Sequence, residues 1–171
     1  MRNSIIILTT LFIFIIDSSY AQTKKELKQQ EKIEKYKAMK ALVENGKLSF
    51  EANTAFTQGG KRVDLTTNPN SLIINGELSE ADMPYFGVIQ ITSFNSDNGI
   101  NFKNEATDYD INYNDKKQKI TIKFSAKNKS ENFNLTLIIS NDGFATLNII
   151  SSHRNIINYN GYVKALEDNK D

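Results

Sequence analysis

Few residues in this chain are able to carry acid–base or nucleophilic chemistry. There is one histidine, His153, and no cysteine, so thiol nucleophiles, disulfides and cysteine-ligated zinc sites are excluded. Ser151 and Ser152 precede His153, but no nucleophile elbow or other triad spacing accompanies them. Neighbours in a strand point to opposite faces, so we expect Ser152 and His153 not to meet. We interpret His153 and Arg154 as polar residues at the end of a strand.

Carboxylates offer a second kind of chemistry, either acid–base catalysis or calcium binding. Glu77, Glu80 and Asp82 fall in one predicted loop, and a small hydrolase that uses these acids is one alternative function. The run Asn-Ser-Asp-Asn-Gly at 95–99 lacks the spaced acids and the closing glutamate of a calcium loop. We interpret this run as a plain turn, and we expect neither a metal nor a cofactor.

Aromatic side chains give the best candidate for a binding site. Tyr85 and Phe86 follow Pro84 at the start of a predicted strand, where neighbouring side chains face opposite sides. One of the two rings is therefore expected to be exposed, unless a loop or the helix covers it. Tyr159 in the last strand and Arg154 are predicted neighbours of this loop. We expect Arg154 to pair with a carboxylate, either structurally or as an anchor for a ligand.

Composition is that of an ordinary globular protein. The chain has 171 residues, of which 39% are hydrophobic and 24% charged, which argues against wholesale disorder, collagen and coiled-coil arrays. Lys and Arg number 21, against 20 Asp and Glu. A protein that coats nucleic acid normally has a strong basic excess, so we predict no nucleic-acid partner.

The beginning of the chain has the order of a secretory signal peptide. A positive charge at Arg2 is followed by an apolar run from Ile5 to Ile16 and by small residues up to Ala21. A membrane span needs about 20 apolar residues, and neither this run nor any later segment reaches that length. We therefore predict a signal peptide at 1–21, cleavage near Ala21, and export to the periplasm or beyond the cell.

The remaining chain begins with one helix. Residues 22–46 contain good helix formers without proline and end at Asn45-Gly46, which predicts a Lys-rich helix. Its first half is expected to project into solvent. Apolar residues at three- and four-residue steps give one narrow stripe, which comprises Ile33, Tyr36, Met39, Leu42 and Val43.

From residue 47 to 163 the apolar period changes from 3.6 to 2, and the pattern predicts about ten short strands. One of these covers 88–93, and the clearest alternation lies at 120–126. Hairpin-length turns make neighbouring strands antiparallel, and no helical pattern lies between them. We predict a mainly β domain, with one helix in front of an antiparallel sandwich or partly open barrel. A polar tail is predicted at 164–171.

The order of several short blocks is shared with a known family. The blocks are Leu48-Ser49-Phe50-Glu51-Ala52, Pro84-Tyr85-Phe86-Gly87, Gly99-Ile100-Asn101-Phe102 and Arg154-Asn155-Ile156-Ile157. Together they resemble the domain-of-unknown-function family 4251, small exported proteins of Gram-negative bacteria. The similarity spans roughly residues 30–163 and implies one exported β-rich domain. It implies no activity and no site residue.

The leading hypothesis is a non-catalytic binding or interaction domain of the bacterial cell envelope. Its partner is an envelope glycan, a peptide or another protein. Besides the hydrolase, a second alternative is a structural envelope protein that self-associates through an exposed sheet edge. The candidate binding residues are Tyr85, Phe86, Arg154 and Tyr159.

Overall fold

The computed structural model describes residues 24–91 and 99–167. The predicted signal peptide lies outside the described residues, as does the turn at 95–99 except for Gly99. Helix α1 occupies residues 24–44 of the described chain and leads directly into the strands. In chain order, these are β1 (Lys47–Thr57), β2 (Arg62–Asp64), β3 (Ser71–Asn75), β4 (Leu78–Met83), β5 (Ile100–Glu105), β6 (Thr107–Asn114), β7 (Lys119–Lys127), β8 (Asn132–Ser140), β9 (Phe144–Ser151) and β10 (Ile157–Ala165).

The described strands form one antiparallel sheet that curls into a nearly closed, barrel-like shape. Its order is β5-β4-β3-β1-β10-β9-β8-β7-β6, with β2 pairing to β1. The edge strand β5 approaches the opposite side of the curled sheet, where the ring of Phe102 lies 5.5 Å from that of Phe133 on β8. The side-chain amide of Asn104 also donates to the carbonyl of Lys127 at the end of β7. The predicted mainly β, antiparallel architecture is confirmed, in its barrel form.

The core fills the inside of this curled sheet. In β7 the buried positions alternate with outward-facing ones as the sequence predicts, and β8, β9 and β10 follow the same rule. The strand β10 continues to Ala165, two residues into the predicted tail. Fully buried large side chains include Phe50, Leu72, Met83, Ile122, Phe133 and Tyr159.

Helix α1 buries side chains against the barrel in its second half, whereas its first half meets the barrel through a hydrogen bond from Asn141 to the carbonyl of Lys32 at 3.5 Å. Tyr36 and Val43 are buried, whereas every described residue before Tyr36 is exposed, including the predicted stripe residue Ile33 at 38%. Ile33 is therefore not part of the buried stripe. The predicted stop is confirmed, since Gly46 adopts a φ of 68° just after the last turn. Within the described ranges, no helix combines the length and apolarity that crossing a membrane requires.

Two of the predicted strand assignments are wrong. The predicted loop that carries Glu77, Glu80 and Asp82 contains the strand β4, whose inward positions before Met83 hold only the small residues Ser79 and Ala81. Small inward side chains give a weak apolar signal, which explains the error. Conversely, the described part of the predicted strand 88–93 makes only one isolated bridge, between Ile89 and Arg154.

Candidate functional site

The candidate residues meet where the segment 84–91 crosses the loop between β9 and β10. The backbone N–H of Gln90 donates to the carbonyl of His153 at 2.7 Å, and that of Asn155 donates to Val88 at 3.1 Å. These bonds hold the segment against the loop without making it part of the sheet ladder. They bring the Pro84 block and the Arg154 block, far apart in sequence, into direct contact.

A buried ion pair lies beneath this crossing. The Nε of Arg154 is 2.9 Å from Oε1 and 3.1 Å from Oε2 of Glu131, and the two side chains are only 3% and 5% exposed. The hydroxyl of Ser151 donates to the same carboxylate. Glu131 is itself fixed by Asn128, whose side-chain oxygen accepts the Glu131 N–H at 2.9 Å. Because these groups hydrogen-bond to one another, we interpret the ion pair as structural: it positions the loop between β9 and β10.

Tyr85 covers the ion pair from the side of the segment. Its ring centroid lies 5.2 Å from the guanidinium carbon of Arg154, a cation–π distance. Its hydroxyl is 2.9 Å from the carbonyl oxygens of both Val88 and Asn155 and donates to one of them at a time. Burial raises the pKa of Tyr85 above its ordinary value. The neutral phenol is therefore kept as a hydrogen-bond donor.

The other two candidate aromatics face inward. Tyr159 is fully buried, and its hydroxyl donates to the carbonyl of Pro84 at 2.8 Å. Burial raises the pKa of Tyr159 far above its ordinary value. Tyr85 and Phe86 are both partly buried and pack against the core, so neither ring is freely exposed. The alternation used to expect one exposed ring does not apply, because this segment is not a ladder strand.

The prediction that Ser152 and His153 do not meet is wrong. The hydroxyl oxygen of Ser152 lies 2.6 Å from Nδ1 of His153. The chain leaves β9 after Ser151, so strand alternation ends just before this pair. In the part of the chain that the structure describes, no carboxylate hydrogen-bonds the second ring nitrogen of His153. Nothing there orients this imidazole as a base in the way that a catalytic triad requires.

The carboxylates Glu80 and Asp82 lie on the strand β4 rather than in the predicted loop. Glu80 makes an ion pair with Lys103 of the neighbouring strand, with Nζ and Oε2 2.7 Å apart. Glu80 and Asp82 point to the outer face of the sheet, which is where strand alternation places them. Among residues 24–91 and 99–167, no three metal-binding side chains come together.

The cluster of Tyr85, Arg154, Tyr159 and Glu131 holds the segment 84–91 in place, and the outer side of this segment faces solvent. Val88 and Ile91 are 63% and 54% exposed. Neither these aliphatic residues nor Glu131 were among the site residues predicted from the sequence. The sequence does carry one signal for Glu131. It lies two residues before the inward-facing Phe133, and strand alternation places such a position on the buried face.

The comparisons with known proteins agree with this architecture. The family model of the domain of unknown function DUF4251 matches residues 30–163. The chain belongs to this family. A crystal structure of a DUF4251 family protein from Bacteroides eggerthii DSM 20697 is similar, with 19% sequence identity and a TM-score of 0.59. The similarity covers 77% of this chain and 87% of that one, and at this identity it shows the fold alone. No curated protein matches the chain.

The resemblance inferred from short sequence blocks is thus confirmed. Two of those blocks have a physical task in this DUF4251 domain. The Pro84 block supplies the anchored segment, and the Arg154 block supplies the guanidinium beneath it. The family description names no activity, so function must be argued from the surfaces of this chain.

Proposed function

We propose that this DUF4251 protein is a non-catalytic binding protein of the bacterial cell envelope, which contacts a partner protein through aliphatic side chains. The observation that carries the proposal is the exposure of Val88 and Ile91, at 63% and 54%, on a segment that hydrogen bonds hold against the β9–β10 loop. Ile156 and Ile150, on the adjoining hairpin, are exposed at 36% and 45%. We call these four residues the aliphatic surface. Exposed apolar groups gathered on one surface favour an interaction site.

The chemistry of the aliphatic surface favours a protein over a glycan as its partner. A glycan is commonly held by an exposed aromatic face and by planar polar side chains. At this crossing the rings of Tyr85 and Phe86 are turned toward the core, and the exposed groups are branched aliphatics. Such groups gain free energy by leaving water against other apolar side chains. Tyr85, Arg154 and Tyr159 are then positioning residues that hold the segment in place.

Photo-crosslinking in the source bacterium tests this role directly. A photoreactive residue at position 88 or 91 is expected to give a discrete heavier adduct whose second component is another protein. The matched control is the same probe at Ile138, which is 38% exposed on the outer face of β8, away from this segment. Adducts of two copies of this chain would favour the self-association alternative. Equal labelling at all three positions, or none, would contradict the proposal.

Export to the envelope is part of the same proposal. It rests on the order of charged, apolar and small residues that ends at Ala21. Intact-mass measurement of the protein isolated from the source bacterium is expected to give a chain that begins at Gln22. A mass that includes Met1, in protein recovered from the cytoplasmic fraction, would overturn this part of the proposal.

A further inference from the structure

A cavity on the outer face of the sheet lies apart from the crossing described above. It has a volume of about 400 Å³ and is bounded by β1, β2, β9 and β10. The register of β1 against β10 shifts between Ala52 and Thr54, which leaves Asn53 as the extra residue of a bulge. Bulges re-aim side chains, and Asn53 lines the cavity. The volume falls at the lower end of the range for small-molecule sites.

Cross-strand pairing fixes the polar lining of this cavity. Thr54 of β1 pairs with Asp64 of β2 on one side and with Asn160 of β10 on the other. The next row pairs Phe56 with Arg62. Because these residues share the outer face, their polar groups converge on the same depression, in a sheet whose inner face is apolar.

Several of the polar groups have hydrogen-bonding capacity left over. The amide oxygen of Asn160 accepts from the Thr146 hydroxyl at 3.0 Å, but no described residue accepts from its amide nitrogen. The guanidinium of Arg62 likewise has no ion pair or hydrogen bond within the described ranges. Hydrogen bonds from Thr66 hold the pKa of the Asp64 carboxyl below its ordinary value, so this acceptor is ionised. The lining therefore offers donors and an acceptor side by side.

Apolar ring surface adjoins these polar groups. Phe56 and Phe144 both line the cavity, and they come from different strands. The ring of Phe144 meets that of Tyr162 edge-on, with centroids 5.6 Å apart and planes at 79°. Tyr162 is 53% exposed and so extends the aromatic surface beyond the cavity. Aromatic rings supply flat apolar contact to a ligand whose own faces carry C–H groups.

The net charge of the cavity lining disfavours charged ligands. Arg62 and Asp64 are its two charged residues and cancel each other. A net-neutral site gives no electrostatic reason for a phosphate, a nucleic acid or an acidic peptide to bind. A ligand with adjacent hydroxyl groups and an apolar face uses both the polar groups and the rings. We propose that this cavity binds a neutral oligosaccharide, at a site separate from the aliphatic surface.

Titration by NMR tests this inference in the mature chain. The probes are maltotriose, cellotriose and chitotriose, each added to the millimolar range, where weak sugar binding is detectable. We expect at least one probe to shift the backbone amide signals of Asn53, Thr54, Arg62 and Asn160. Shifts confined to other residues, or no shift with any of the three probes, would overturn the proposal.

Matched variants then separate a site from unspecific contact. Arg62→Ala, which removes a charged donor from the lining, is expected to weaken binding of the responding sugar by about tenfold or more. Lys61→Ala removes a charge one residue away, outside the lining, and is expected to leave the affinity unchanged. Equal losses in both variants would contradict the proposal. A Val88→Ser variant is expected to retain sugar binding, since Val88 lies outside the lining, so this proposal and the proposed protein contact can fail separately.

Discussion

At the scale of single residues, the buried pair of Arg154 and Glu131 decides where the segment 84–91 lies. Two charges with side chains 3% and 5% exposed are expensive to remove from water. The cost is offset by the Coulomb attraction, by the Ser151 hydroxyl and by the Tyr85 ring over the guanidinium. A buried pair of this kind contributes little net stability, but the loss of one partner leaves the other charge buried alone.

We therefore expect Arg154→Met to lower the free energy of unfolding by about 3–5 kcal/mol. The double variant Arg154→Met with Glu131→Leu removes both charges and is expected to recover most of that loss. Urea unfolding of both variants and of the wild type gives the three values needed. A single variant that costs under about 1 kcal/mol, or a double variant no more stable than the single, would contradict this account.

Tyr36 makes the stability depend on pH in the alkaline range. Burial, together with the hydrogen bond that its hydroxyl donates to Asp115 at 2.9 Å, raises the pKa of Tyr36 to about 12. The unfolded chain has a tyrosine pKa of about 10. The folded state thus holds this proton more tightly, so the contribution is complete below about pH 10 and is lost as the pH rises toward 12.

The measurement is the melting temperature as a function of pH for the wild type and for Tyr36→Phe. The variant starts lower at neutral pH, because it loses a hydrogen bond worth about 1 kcal/mol. Its melting temperature is then expected to fall less steeply between about pH 10 and 12, since the other tyrosines titrate equally in both proteins. Parallel curves would show that Tyr36 has no part in the alkaline loss.

At the scale of elements, β1 depends on exceptions to regular pairing. The side chain of Asn70 makes the two hydrogen bonds with Ala52 that a neighbouring strand would otherwise make. Its Oδ1 accepts from the N–H of Ala52 at 2.8 Å, and its Nδ2 donates to the Ala52 carbonyl at 2.9 Å. On the other side, Ala52 faces Gly161 just before the bulge. A Cβ at Gly161 would overlap the carbonyl oxygen of Glu51 and lie 2.7 Å from Cα of Ala52. The two strands approach too closely there for any larger residue.

Gly161→Ala is accordingly expected to lower the free energy of unfolding by about 3 kcal/mol or more, because backbone rather than a flexible side chain must move. Gly59→Ala is the matched control, since the nearest atom to its added Cβ is Thr57 Oγ1 at 3.9 Å. That change is expected to be neutral or to stabilise by about 0.5 kcal/mol. Thermal or urea unfolding compares the two, and a Gly161→Ala protein as stable as the control would refute the steric argument.

The segment 84–91 shows why elements were harder to predict at the candidate site than elsewhere. Its sequence is apolar enough for a strand, and from Gly99 onward the period of 2 located each strand within a few residues. However, its backbone bonds go to the loop at residues 153–155, more than 60 positions away. No local pattern encodes that pairing. The missed strand β4 illustrates the reverse case, since its sheet neighbours support a sequence with little apolar signal of its own.

At the scale of the whole molecule, helix α1 closes one end of the barrel and then continues past it. Tyr36 reaches the turn between β6 and β7, and a Cβ at Gly143 in the β8–β9 turn would lie 3.1 Å from Cε of Met39. The described residues before Tyr36 are all exposed, and their contacts are peripheral, such as the Glu31–Lys35 ion pair and the hydrogen bond that Asn141 donates to the carbonyl of Lys32 at 3.5 Å. Exposed pairs of this kind contribute little to stability.

A chain that begins at residue 33 is therefore expected to unfold within about 1 kcal/mol of the longer protein. By contrast, Val43→Ala, at a position 1% exposed, is expected to cost about 2 kcal/mol. Urea unfolding of the shortened chain and of the point variant measures both effects. A shortened chain less stable than Val43→Ala would mean that the first half of the helix stabilises the barrel by more than the exposed hydrogen bond from Asn141 to Lys32 accounts for.

The sequence by itself determined the fold class, the helix stop, most strands and the family, because alternation, turn residues and short blocks are local patterns. It also named Tyr85, Arg154 and Tyr159 as neighbours. Only the tertiary structure paired Arg154 with Glu131, turned the aromatic rings inward and left Val88 exposed. It also formed the outer cavity, from a bulge and four strands. These features depend on which distant segments pack together, and that is decided by the free energy of the whole core rather than by any window of sequence.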